Sequence, residues 1–356
     1  MRDAFLFFLF SLLASYLVAR LSVKSGLFLD VPSSKDHGVH NRPVPRAGGI
    51  AVFAGVSLVF LYALLNLSLE YHERGQLVLV WVFAFAFFIV GVLDDAGKEI
   101  RASLRFLVFA ILSCGFLLVS YLLWGEVFLI YDFRLFKIPV WIAFPFTWFA
   151  IVGFVNAINI SDGLDGLSSG IVANAFFFLG VITDRIGDPF LSFVFTASGA
   201  VVSGFWVLNF LVPRLFLKKK VFGIFLGDSG TYFLGFVGAV FSIWAVNRDG
   251  LLSPGTPFIL FFYPVWETIN SMARRAVERR GIFEADNSHF HNFLYEYFGK
   301  SHLLASGSIL LLHFLIGLYT LVMFSEGEYL ILAYSFLISA YSVLYLALEK
   351  VVRLRS

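Results

Sequence analysis

The run Leu77-Val78-Leu79-Val80-Trp81-Val82-Phe83-Ala84-Phe85-Ala86-Phe87-Phe88-Ile89-Val90-Gly91-Val92-Leu93 carries no charge, and it ends abruptly at Asp94-Asp95. A membrane-crossing helix needs roughly 20 predominantly apolar residues. A stretch this long and this uniformly apolar therefore reads as a membrane span whose end meets an acid pair. Working outward, ten further runs of the same kind are found. Together the eleven cover about 4–21, 49–69, 77–93, 103–123, 139–155, 166–183, 190–212, 223–246, 255–273, 303–324 and 328–348. The chain is expected to be an all-α polytopic membrane protein forming a single domain over residues 1–356.

Composition agrees. Of 356 residues, 59% are hydrophobic and 14% charged, with 45 Phe. Soluble domains carry roughly 45–50% apolar and about 25% charged residues. Disorder, a coiled coil and a nucleic-acid binder are excluded. The single cysteine, Cys114, excludes an internal disulfide and a cysteine-based metal centre. Arg2 precedes the first run as in a signal peptide, but no clear cleavage site follows, and an uncleaved anchor is expected.

Lys and Arg favour the cytoplasmic side of a membrane. Of the 26 such residues, only Arg2, Arg74, Arg134, Lys137, Arg185 and Arg248 fall in one alternating set of loops. All the others fall in the opposite set, which places the N-terminus outside and the C-terminus in the cytoplasm. An odd number of spans requires the same opposition.

Polar residues gather at the span ends on the basic side. Asp94 and Asp95 close the third run, with Lys98, Arg101 and Arg105 beyond them. Adjacent acids beside bases suit metal binding or base catalysis, and equally a helix end meeting water. Between the fifth and sixth runs lies Asn156-Ala157-Ile158-Asn159-Ile160-Ser161-Asp162-Gly163-Leu164-Asp165-Gly166, which holds no Lys or Arg. If this segment is helical, its spacing puts Asp162 and Asp165 on one face. An all-oxygen donor set without a base calls for a hard cation, Mg2+ or Mn2+. Gly227-Asp228-Ser229-Gly230 opens the eighth span, where a helix N-terminus suits a phosphate. Arg274, Arg275, Arg279 and Arg280 precede Asp286-Asn287-Ser288-His289-Phe290-His291. Arginine forks bind phosphates, and histidines can donate to phosphate or sugar oxygens. Glu267 and His313 stand alone inside the ninth and tenth runs, where helix–helix hydrogen bonds are their simplest role. Glu267 is near enough to the basic side to reach a cleft there. Acids for a metal and bases for phosphates on one face point to phosphoryl transfer.

At these residues the sequence resembles the polyprenyl-phosphate N-acetylhexosamine-1-phosphate transferase superfamily. The matching segments occur in order: His40-Asn41-Arg42-Pro43-Val44-Pro45-Arg46-Ala47-Gly48-Gly49, Asp94-Asp95, Asn156 to Gly166, Gly227 to Gly230, and Asp286 to His291. WecA-like members often carry Arg and His where this chain has Asn287 and Asn292, which leaves the sugar contacts open. The His-His-His run of MraY-like members is missing, which favours the WecA/TagO-like branch.

The resemblance implies ten or eleven helices around a cytoplasmic cleft in the inner membrane. It implies transfer of a sugar-1-phosphate, N-acetylglucosamine foremost, from a UDP-sugar to a polyprenyl (undecaprenyl) phosphate, with release of UMP. The product would feed cell-envelope glycans such as O-antigen or teichoic acid. Asp94, Asp95, Asp162 and Asp165 would form the catalytic set and Asp228 the ligand for Mg2+ or Mn2+. His40, Arg46, Lys98, Arg101, Arg105, Asn156, Asn159, Arg279, His289 and His291 would bind the substrates. A homodimer is compatible with the resemblance. Direct attack and an aspartyl-phosphate intermediate are both open, as is another donor such as UDP-MurNAc-pentapeptide. The rival class, a secondary transporter or channel, would place its acids near the bilayer midplane.

Overall fold

A computed structural model describes residues 2–30, 43–98, 100–132, 137–215, 223–249, 252–281, 288–324 and 327–355. His40, Asn41, Arg42, Asp286 and Asn287 lie outside the described residues, as does the side chain of Lys98.

The chain is almost wholly helical. In order come α1 (Arg2–Ser25), the strands β1 (Leu29–Asp30) and β2 (Val44–Pro45), α2 (Gly48–Asn66), α3 (Tyr71–Leu93), α4 (Ala102–Trp124), α5 (Val140–Ile160), α6 (Leu167–Arg185), α7 (Pro189–Trp206), α8 (Val212–Leu215) and α9 (Gly227–Asp249). Then follow α10 (Gly255–Leu260), α11 (Phe262–Val277), α12 (Phe290–Tyr297), α13 (His302–Met323) and α14 (Gly327–Arg355). The two strands pair antiparallel, Leu29 with Pro45 and Asp30 with Val44.

Among the described residues, ten helices are individually long and apolar enough to cross a membrane. The remaining expected span, 255–273, is broken into α10 and α11 at Phe261. Pro264 supplies the reason. It has no N–H for the carbonyl of Leu260, so it is tolerated in the first turn of a new helix and forbids continuation of the old one. The pair still connects the two ends of the bundle. Ser253 N–H and Thr256 Oγ1 both donate to the carbonyl of Phe324, at the far end of α13. Ser271, near the end of α11, bonds to His289 at the opposite end.

In lipid, apolar burial gives little drive between helices, so packing, close approach and internal hydrogen bonds hold them. Helix α9 is almost wholly buried, whereas α1 and α14 are largely exposed, which makes α9 the central post. Phenylalanines fill the space around it. Phe236 stacks on Phe87 with ring centroids 4.7 Å apart and meets Phe116 edge-on at 5.3 Å. At its first turn α9 touches α3 so closely that a Cβ on Gly91 would sit 2.4 Å from the Ser229 backbone.

Of the two lone groups inside the apolar runs, Glu267 bonds across elements, to His289 and Tyr341. His313 departs from expectation: it is buried, and neither ring nitrogen has a hydrogen-bond partner among the described residues.

Candidate active site

The C-terminal ends of α3 and α5 and the N-terminal ends of α6, α9 and α13 lie at one end of the bundle. This alternation gathers residues far apart in sequence.

Asp94, at the end of α3, is buried and fully engaged. Its Oδ1 accepts from Ile100 N–H at 2.9 Å, and its Oδ2 accepts from Tyr232 Oη at 2.9 Å and from Arg105 Nη1 at 3.3 Å. Arg105 Nη1 also donates to Tyr232 Oη at 2.9 Å. The next residue acts differently. Asp95 receives the backbone N–H groups of Asp228 and Ser229, one on each oxygen, both at 2.9 Å. It therefore caps α9 and neutralises the positive end of that helix. Gly227 makes the approach possible. Its φ is +75°, and a Cβ there would lie 2.7 Å from Asp95. The N–H groups expected to face a phosphate are thus spent on Asp95.

Asp228, the second residue of α9, points toward α5, where Asn159 Nδ2 donates to its Oδ1 at 2.7 Å and to Thr231 Oγ1 at 3.1 Å. It lies within electrostatic reach of Asp94, Arg105 and Arg46, and of Asp95 and Asp162. Asn156 is half-buried one turn earlier on α5. So the helix runs past the expected boundary at 155 and carries both amides.

Asp162 and Asp165 do not share a helical face. Ser161–Gly163 is a single tight turn, and Leu164 is extended (φ −132°, ψ 145°). Asp162 accepts from Ser168 Oγ, while Asp165 turns to His302, whose Nδ1 lies 3.7 Å from its Oδ2. His302 Nδ1 also accepts from Asp165 N–H.

His289 and His291 flank the start of α12 with parallel rings, centroids 5.3 Å apart. His289 Nδ1 lies 2.8 Å from Glu267 Oε1, and His291 Nδ1 lies 2.8 Å from Tyr263 Oη. The Nε2 of His291 abuts Gly163, so the histidine segment touches the Asp162–Asp165 turn. Burial first, and the neighbouring His289 second, push the His291 pKa down to about 3.

Three basic candidates are less enclosed. Arg46 pairs with Asp30 at 3.4 Å while facing Asp228. Arg101 is exposed at the start of α4, and Arg279 is exposed in the left-handed turn after α11 (φ 58°). Neither is brought onto the carboxylates. Tyr232, Thr231, Tyr263, Tyr341 and Ser168 join the site without having been expected there. Among the described residues, no three His, Cys, Asp or Glu form a ready-made metal cage.

An apolar groove of about 300 Å³ runs between α5, α9, α10 and α11, from Asn247 and Pro254 at the opposite end of the bundle toward this end. Phe146, Phe149, Phe154, Ile243, Phe258 and Ile269 line it, and it reaches Ala157, between Asn156 and Asn159.

Comparison with known proteins fits this geometry. Residues 77–246 match the model of glycosyl transferase family 4. A probable undecaprenyl-phosphate N-acetylglucosaminyl 1-phosphate transferase of Bacillus subtilis (strain 168) is 29% identical over 329 residues, covering 92% of this chain and 86% of that one. The undecaprenyl-phosphate alpha-N-acetylglucosaminyl 1-phosphate transferase of Yersinia pestis is 28% identical, covering 81% of this chain and 74% of its own length. Its counterpart in Thermotoga maritima is 29% identical, covering 82% and 81%. The stretch similar to glycosyl transferase family 4, residues 77–246, carries Asp94, Asp95, Asn159, Asp162, Asp165 and Asp228, and over most of its length the chain is similar to undecaprenyl-phosphate N-acetylglucosaminyl 1-phosphate transferases.

Proposed function

We propose that this membrane enzyme transfers N-acetylglucosamine-1-phosphate from UDP-N-acetylglucosamine to undecaprenyl phosphate on the cytoplasmic face of the inner membrane. The observation that carries the reading is the meeting of Asp94, Asp95, Asp162 and Asp228 with Arg105, beside an apolar groove that reaches Ala157. A polar phosphate end and a long isoprenoid tail need this combination. A transporter would need polar groups along a path through the bilayer, whereas these acids crowd one end.

In the reaction, an oxygen of the lipid phosphate attacks the phosphorus that bears the sugar. A new P–O bond forms, the P–O bond to UMP breaks, and UMP leaves with the electron pair. A phosphate monoester has its second pKa near 6 and is mostly dianionic at pH 7. A strong base is then unnecessary, which suits Asp94, whose oxygens already hold Ile100, Tyr232 and Arg105. Asp94 orients Arg105, and Arg105 offers its remaining N–H groups to the phosphates. Asp95 fixes the first turn of α9 and with it Asp228. His289 and His291 meet the sugar-phosphate side of the donor.

Magnesium fits the residues present. The donors are oxygens, and Mg2+ is commonly held by one or two carboxylates plus substrate phosphates, with no all-protein cage. Asp228 would hold the ion, with Asp162 nearby. When bound, it neutralises the diphosphate and favours departure of UMP. Orientation rests on the basic loops, all but six of whose Lys and Arg lie on the site's side.

Radiolabelled UDP-N-acetylglucosamine supplied to protein in nanodiscs tests the reading. Label is expected in butanol-extractable lipid only with undecaprenyl phosphate and Mg2+, lost with EDTA and regained with excess Mg2+. Label that stays water-soluble under all conditions contradicts it. Preferential use of UDP-MurNAc-pentapeptide would move the sugar assignment.

A further inference from the structure

We infer that Glu267 is a positioning residue, which locks the ring of His289 in its Nδ1–H form with the help of the C-terminal helix α14. The inference rests on the reading of His289 as a donor-substrate contact.

Glu267 sits in α11 and is fully buried. Three donors and the ring of His289 converge on its two oxygens. Ser271 Oγ at 3.1 Å and His289 Nδ1 at 2.8 Å meet Oε1. Phe290 N–H at 3.2 Å and Tyr341 Oη meet Oε2. An ionised, acceptor-only carboxylate accommodates these three donors together with a ring N–H. With that carboxylate ionised, Nδ1 of His289 carries the proton, and in the neutral ring Nε2, on the opposite edge, is the unprotonated nitrogen. The same carboxylate pins the backbone at Phe290, so the ring's tautomer and its placement have one cause.

Helix α14 completes the arrangement. Tyr341 bonds Glu267, and one turn later Tyr345 Oη donates to the Ser288 carbonyl at 2.9 Å. Phe290 packs on Tyr341 and Phe293 on Tyr345, with ring centroids 5.0 and 5.4 Å apart. Both tyrosines are buried although α14 as a whole is largely exposed. The helix thus spends its few inward residues on the histidine segment. Glu267 also lies on the opposite face of α11 from Val265, Ile269 and Met272, which line the groove. Its loss should disturb the donor and spare the lipid.

The test uses full-length protein in nanodiscs, labelled with 15N-histidine for solid-state NMR. The resonance of His289 is identified by its disappearance in His289→Gln. In the wild-type protein Nδ1 is the protonated nitrogen. In Glu267→Gln the proton redistributes toward Nε2. Orienting partners of this kind are worth about tenfold to a hundredfold. So kcat/KM for UDP-N-acetylglucosamine falls by about that factor, while KM for undecaprenyl phosphate holds. Tyr341→Phe, which removes one donor and keeps the carboxylate, gives the same kinetic split at smaller size. It decides the question with both readouts if Glu267→Gln does not fold. An unchanged His289 resonance overturns the proposal. So does activity lost only in step with melting temperature. If the wild-type protein makes no lipid-linked sugar, the reaction reading fails instead, and the resonance still decides the contact.

Discussion

His291 shows how one residue's surroundings set its chemistry. It is buried against Tyr263 and His289, and its pKa drops from 6.5 to about 3. The folded protein keeps it neutral over the whole working range, so it brings no charge to its surroundings. The sign for stability follows. Between pH 6.5 and about 3 the unfolded chain binds a proton that the folded one refuses. Stability from this group is therefore complete above pH 6.5 and is lost as the pH falls toward 3. Melting curves in detergent should show the advantage of wild type over His291→Asn shrinking from pH 7 to pH 4, on the order of the one-proton linkage slope. An advantage independent of pH would contradict the assignment. Asp94, Asn159 and Asp228, which the structure brings together, were legible as candidates because acids and amides at the ends of apolar runs have few other reasons to exist. Tyr232 was not legible. Its hydroxyl matters only through Asp94, 138 positions away, and a tyrosine in an apolar helix carries no signal of its own. Glu267 stood out as a lone carboxylate, but its partners His289 and Tyr341 lie 22 and 74 positions away.

At the scale of elements, α9 depends on its cap. Two bonds from backbone N–H groups to one carboxylate tie α3 to the first turn that carries Asp228. Asp95→Asn replaces one acceptor oxygen with a donor and removes the charge facing the helix end. Loss of a capping side chain costs about 0.5–2 kcal/mol, and a charged one at a buried helix end belongs at the upper part of that range. The variant should melt several degrees lower and lose most activity through a displaced Asp228. A variant equally stable and active would show that the cap does not position the site. The adjacent pair in the sequence gives no hint of this division of labour, because Asp94 and Asp95 differ only in which neighbour each can reach. Run 255–273 teaches the complementary lesson. Its apolar content announced a crossing, and the break into α10 and α11 before Pro264 emerges only in the structure. Composition over a long window outweighs one proline in a sequence reading, and the missing N–H outweighs composition in the folded helix.

Over the whole molecule, alternating helix directions bring the ends of α3, α5, α6, α9 and α13 together at one end of the bundle. That end was legible from the distribution of Lys and Arg, since spans alternate and acids followed the basic loops. The tertiary grouping of helices around α9 was not, because phenylalanine packing and glycine approaches such as Gly91 on Ser229 have no one-dimensional signature. Orientation is testable by labelling. Tyr71, 94% exposed, starts α3 at the end opposite the site, and Glu278 is exposed after α11 at the site's end. In a Cys114→Ser background, an impermeant maleimide applied to intact cells should label Tyr71→Cys and not Glu278→Cys. The reverse pattern would put the site outside. The most direct measurement is UMP release by the purified protein with undecaprenyl phosphate, UDP-N-acetylglucosamine and Mg2+, comparing wild type with Asp228→Asn. The account predicts lipid-dependent release that falls by at least about 100-fold in the variant, the scale of losing a key transition-state electrostatic contact. No release by folded wild type, or equal release by Asp228→Asn, would contradict it.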